Sequence, residues 1–238
     1  MMKNGLALAA AICFTILMLT ESLRLLERQT LPAVVPVVTG QARTLILDAG
    51  HGGEDGGAVA PNGTPESQIN LAIVLKMDEL LGFYGVSPML LRDADRSLHD
   101  ESAETLREKK VSDLKNRAAA IQQTPNATLV SIHQNSYPEP RYRGSQVFYA
   151  PTTGSQPLAQ HIQQTLRAGL QPDNTRETKE IPDTVYLMNH VTCPAVLVEC
   201  GFLTNPEENL LLQDEGYQRK LAAVLTAAWL TAPEGMED

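Results

Sequence analysis

Three short apolar runs recur along this chain, and each leads to a residue that can do chemistry. TLILD (44–48) runs into a glycine-rich turn carrying His51, LVSIH (129–133) ends on His133, and AVLVE (195–199) ends on Glu199. Runs this short and this apolar read as strands covered on both faces. Between them lie segments of helical period. From Glu66 to Tyr84, the residues Ile69, Ile73, Met77, Leu80 and Leu81 fall on one face, and Gly82 and Gly85 mark the end. Residues 113–123, 157–170 and 215–230 are read as further helices. Additional strands are expected at 86–91, 144–149 and 185–187, with a charged loop and some helix over 92–112. Strands alternating with helices predict an α/β domain built on a mostly parallel sheet, over residues 44–231.

Outside that domain the N-terminus is informative. Lys3 precedes an uncharged run from Gly5 to Thr20, the shape of an export signal or signal anchor. No clean A-x-A cleavage site follows, so residues 1–30 are expected to hold the chain at the cytoplasmic membrane, with Lys3 inside. Residues 31–43 read as an extended linker and 232–238 as a tail. The formal net charge is −9, with no basic stripe, which argues against a nucleic-acid partner. The three cysteines exclude a tetrathiolate metal site by number alone. Cys193 and Cys200 are expected on one strand, about 23 Å apart when extended, which is too far for a disulfide.

In parallel α/β sheets the carboxyl ends of the strands line the ligand crevice. His51, His133 and Glu199 are therefore expected along one edge, and Glu66, in the first turn of its helix, is one loop away. Two imidazoles and one carboxylate make an open zinc site, and a second carboxylate beside the fourth position is placed to act as general base. Each residue also has an ordinary explanation. A strand-end histidine is more often a structural hydrogen-bonding residue, and Glu66 alone would complement a helix dipole. Glu199 is harder to explain that way, because a carboxylate beside a buried strand must be paired or functional. His99, His161 and His190 read as surface residues. A zinc peptidase, a non-catalytic binding module, and a glycosidase using Glu66 and Glu199 are the competing classes.

The blocks LILDAGHGGEDGGA, ESQINLA, NRAAAI, LVSIHQN, GSQVFY and PAVLVECGFLTNPEE occur in an order that closely resembles the zinc-dependent N-acetylmuramoyl-L-alanine amidases of the amidase-3 type. The resemblance covers nearly everything from Thr44 to Leu230. It implies a single catalytic domain, with a mostly parallel mixed sheet flanked by helices, acting on peptidoglycan outside the cytoplasmic membrane. It implies Zn2+ held by His51, Glu66 and His133, Glu199 as the catalytic carboxylate, and Asn135 orienting substrate or the His133 loop. Arg117 is expected in a structural ion pair. Within the family the chain looks most like the sporulation amidases that prepare spore cortex peptidoglycan, which places it in the cell wall or forespore envelope, anchored or secreted. An activator protein is a further expected partner, while a built-in helical plug is not expected. YLMNH lacks the basic residue that the family often carries near that strand end. Arg92, Arg141, Arg143 or Lys179 are the candidates to replace it in holding a stem carboxylate.

Overall fold

The computed structural model describes residues 43–233, and the expected anchor, most of the linker and most of the tail lie outside them. The described chain runs β1 (Thr44–Ala49), α1 (Glu66–Phe83), β2 (Met89–Leu90), α2 (Leu106–Gln122), β3 (Ala127–Asn135), β4 (Gln146–Tyr149), α3 (Ser155–Gly169), β5 (Lys179–Glu180), α4 (Tyr186–Asn189), β6 (Ala195–Phe202), α5 (Pro206–Gln213) and α6 (Glu215–Leu230). The strands form one sheet in the order β2-β1-β3-β6-β4-β5. All neighbours are parallel except β4, which runs antiparallel to β6. The expected mostly parallel α/β architecture is the one observed.

Each face of the sheet carries its own core. Leu45, Leu47, Val130, Ile132, Val196 and Val198 pack under α1, α3 and α6. The alternate residues Ile46, Leu129, Ala195 and Leu197 pack under α2 and α4. This two-sided burial is why β3 and β6 are apolar almost throughout. It also makes a polar residue within those strands expensive unless it is paired.

Several boundaries differ from the sequence reading. Helix α2 begins at Leu106, well before residue 113, because Thr105 and Glu108 form a capping box: the Thr105 side chain accepts from Glu108 N–H and the Glu108 side chain accepts from Thr105 N–H. The charged stretch that follows has almost no apolar periodicity, so only the cap marks its start. Residues 185–187 are not a strand; Val185 precedes the single turn of α4, and the Asn189 side chain donates to the Pro182 and Val185 carbonyls. A three-residue apolar run is too short for periodicity to separate the two states. The strand expected at 86–91 shrinks to two residues, and β5 was not foreseen. Helix α5 was missed although Asn205 caps it, accepting from Glu207 and Glu208 N–H, with Pro206 opening its first turn. Cys200 lies within β6 and Cys193 just before it, both as free thiols.

Candidate metal centre

The turn after β1 carries His51 with φ at 62°, a left-handed conformation uncommon for a residue with a β-carbon. Two buried arginines hold that turn. Arg117, on α2, pairs with Asp48 and Asp113, and donates to the Ala49 carbonyl at 3.1 Å and the His51 carbonyl at 2.8 Å. Asp48 also accepts from Ser131 Oγ at 2.6 Å. Burial alone would lower the Arg117 pKa, but the two aspartates outweigh it and raise it. The structural ion pair expected of Arg117 is thus present. Arg92 is fully buried and donates to the carbonyls of Ala49, Gly50, Ser67 and Ala94. Its donors are spent on backbone, so it is not free to hold a substrate carboxylate, contrary to one sequence expectation.

Glu66 opens α1, which belongs to the opposite layer, and its carboxylate reaches over the sheet edge. It is 3% exposed. Oε1 accepts from Gln134 N–H at 3.0 Å and lies 2.9 Å from His133 Nδ1, while Oε2 accepts from Ala58 N–H at 2.9 Å and lies 3.4 Å from His51 Nε2. The glycines here are steric requirements. A β-carbon at Gly50 would fall 2.2 Å from the His133 ring, and one at Gly57, where φ is 70°, would fall 2.6 Å from Glu66 Oε2. Burial pushes the Glu66 pKa up, yet the hydrogen bond and charge of His133, the charge of His51 and the Ala58 amide bring it down to about 2.

His133 lies near the end of β3, just before a register irregularity against β6, and its Cα partner is Glu199. Burial disfavours a charged His133, but the hydrogen bond and charge of Glu66, with Glu199 beyond, outweigh burial and raise its pKa. Glu199 shows the opposite balance. Burial lifts it to about 7, with Glu66 adding to the rise, and His133 and Arg176 only partly offset this. Its Oε2 is closed off from solvent and has no hydrogen-bond partner. Asn135 follows two residues after His133, half-exposed, and its carbonyl accepts from Leu203 N–H at 2.8 Å.

His51, Glu66 and His133 each present one ligand atom, all within 4.8 Å of one another. This is a donor set for a metal ion. Its electrostatics agree: two carboxylates crowd two imidazoles and raise the pKa of His133, which is the response of a site deficient in positive charge. A cavity of about 290 Å³ opens beside the group, lined by His51, His133 and Glu199 together with the apolar Leu114, Met188 and Leu197.

Asp55 escaped the sequence reading, although it stands four residues after His51. Its Oδ2 is 2.8 Å from His51 Nδ1. The hydrogen bond to His51 holds the Asp55 pKa well below the usual carboxylate range, against burial. A carboxylate on Nδ1 fixes the tautomer that leaves the Nε2 lone pair facing Glu66 and His133. Asp55→Asn is expected to weaken metal binding roughly 10–100-fold, read by competition with a chromophoric chelator; an unchanged affinity would remove Asp55 from this role. Of the other histidines, His190 is exposed and stacks on Tyr186, while His99 and His161 are half-buried and hydrogen-bond Ser97 and Thr231.

Comparison with known proteins points the same way. The germination-specific N-acetylmuramoyl-L-alanine amidase of Bacillus subtilis is 35% identical over 182 residues, 76% of each chain. The CwlD amidase from Clostridioides difficile, solved in complex with the GerS lipoprotein, is 40% identical with a TM-score of 0.77, over 80% of this chain and 98% of that one. A second N-acetylmuramoyl-L-alanine amidase from Clostridium difficile superposes with a TM-score of 0.69 at 28% identity, covering 81% of this chain and 97% of that one. Residues 45–229 match the amidase-3 family, described as N-acetylmuramoyl-L-alanine amidase. By fold, by the residues gathered at its sheet edge and by sequence, this chain belongs to the N-acetylmuramoyl-L-alanine amidase family.

Proposed function

We propose that this protein is a zinc-dependent hydrolase that cleaves the amide between N-acetylmuramic acid and L-alanine in peptidoglycan, with a role in spore cortex maturation. The observation that carries the mechanism is the placement of a solvent-shielded carboxylate oxygen without a partner, on Glu199, next to the three converging donors. In this reading His51, Glu66 and His133 hold the zinc, Asp55 orients His51, and the turn clamped by Arg92 and Arg117 keeps the three in place. Bound zinc supplies a Lewis acid that polarises the scissile carbonyl and lowers the pKa of water. Glu199 accepts a proton from the attacking water and returns it to the leaving nitrogen of L-alanine. Water oxygen joins the carbonyl carbon, the C–N bond breaks, and a lactyl carboxylate and a free amine result. Asn135, at the end of β3, orients substrate at the crevice edge.

The similar CwlD amidase was solved with a lipoprotein, and its likeness supports a lipoprotein partner or activator here too. Action outside the cytoplasm, with the N-terminal segment as export signal or membrane anchor, belongs to the same proposal; no helix among the described residues is long and apolar enough to cross a membrane.

The test is product analysis. Zinc-loaded protein incubated with purified cortex peptidoglycan is expected to release stem peptides beginning with a free L-alanine, seen by mass spectrometry, lost with chelator and restored by zinc. Peptides beginning at a later residue would reassign it as a stem peptidase, and chelator-insensitive release would remove the metal from the reaction.

A further inference from the structure

The polar row His133–Glu199 continues one strand further. Gln146, on β4, is the antiparallel Cα partner of Glu199, so the two side chains share a face of the sheet. Gln146 Oε1 accepts from both Nε and Nη2 of Arg176, at 3.1 and 2.6 Å. The guanidinium lies over the Phe202 ring, 4.9 Å from its centroid. Phe202 is stacked on Tyr142, which meets the exposed Tyr137 edge-on at 4.8 Å. Arg176 is thus clamped on two sides by neutral groups, at the carboxyl ends of β3 and β6, beside the proposed base.

Arg176 differs from the cations that hold or flank the metal centre in having no carboxylate within ion-pair distance; Glu208 and Glu199 act on it only at longer range. Lys110 is 3.2 Å from Asp55, Lys109 pairs with Glu54, Arg117 with Asp48 and Asp113, and Arg92 is spent on carbonyls. Among the described residues Arg176 makes no ion pair within 4.0 Å, and its Nη1 has no hydrogen-bond acceptor. The chain carries a net charge of −9, so an anionic stem peptide is favoured by a local cation on the side away from the metal group.

Resting on the amidase reading, we propose that Arg176 binds the free carboxylate of the second stem residue, the α-carboxylate of a γ-linked D-glutamate, and so sets the direction of the stem peptide. The scale fits. Adjacent strands lie about 4.8 Å apart, and one residue of peptide advances the chain about 3.5 Å, so a carboxylate one residue past the scissile nitrogen at Glu199 falls over β4. A guanidinium held over Phe202 by Gln146 is pre-oriented for such a carboxylate, so less side-chain entropy remains to be lost. The stem peptide then runs from the scissile bond toward β4, and the glycan lies at the cavity lined by Leu114 and Met188.

The test separates binding from turnover. In full-length, zinc-loaded protein carrying Glu199→Gln, calorimetry compares an L-Ala-γ-D-Glu-diamino acid tripeptide with the same peptide amidated at the glutamate α-carboxyl. Amidation is expected to weaken binding about 10–100-fold, the worth of a charged hydrogen bond. With Arg176→Gln added, the two peptides should bind alike, and Arg176→Lys should restore part of the preference. Thermal melts of each variant check folding. Equal affinity for both peptides in the Glu199→Gln protein, or a preference that survives Arg176→Gln, would overturn the assignment, as would failure to bind either. The amidase reading fails separately, when wild-type protein binds the tripeptide yet releases no free L-alanine ends from peptidoglycan.

Discussion

Glu199→Gln is expected to keep one zinc per chain and to lose turnover on the order of 100- to 10,000-fold, the usual contribution of a general base. Glutamine preserves shape and leaves His51, Glu66 and His133 untouched, but it cannot take a proton from water. The buried, partnerless Oε2 is a cost that a structural role does not explain: a structural carboxylate would have found a donor. The same burial lifts the Glu199 carboxyl to about 7. A base must be unprotonated to act, so turnover should rise with pH through that ionisation. A bound cation favours the carboxylate and lowers its pKa, so in the zinc-loaded enzyme the rise should sit below pH 7, and Glu199→Gln should abolish it. Metal analysis and a pH–rate profile decide the matter. Near-normal turnover would strip Glu199 of its role, whereas loss of zinc in the variant would make it a ligand instead.

The largest loss of stability is expected at Arg117, which is not one of the three metal donors. Arg117→Leu leaves Asp48, 1% exposed, with only Ser131 as a donor, and takes the ion-pair partner from Asp113. Breaking one side of a buried pair costs about 3–5 kcal/mol. It also releases the Ala49 and His51 carbonyls, so the left-handed His51 loses the clamp that offsets its strain. Denaturant unfolding of the metal-free protein should show the loss, and zinc affinity should fall with it. Arg143→Ala, which breaks an exposed 3.7 Å contact with Glu207, is the matched control and should change little. A loss at Arg117 no larger than at Arg143 would show that the turn is held by other means.

The sequence alone determined the layered α/β plan and most of the site. Apolar runs with helical segments between them force a parallel sheet covered on both faces, and polar residues at the strand ends then have only one edge on which to meet. His51, Glu66, His133 and Glu199 were legible only as a set: each has an ordinary explanation alone, but three strand-end residues and a helix-opening carboxylate one loop away converge on the same edge. The sequence did not disclose what holds or flanks them. Asp55 is one charge in a glycine-rich turn, and only the folding of that turn aims it at His51 four residues back; Arg117 is one charge in a charged stretch, and its role comes from packing α2 against a turn more than sixty residues away. Arg92 is among the sequence's candidates to hold a stem carboxylate and proves to be wholly buried on backbone carbonyls. Arg176 lies in a polar loop and becomes significant only through Gln146, which the antiparallel turn of β4 sets opposite Glu199. Local pattern reports which residues must be buried; which buried groups then share a charge, a carbonyl or a ring is decided by strand order and register, and those exist only in the folded chain.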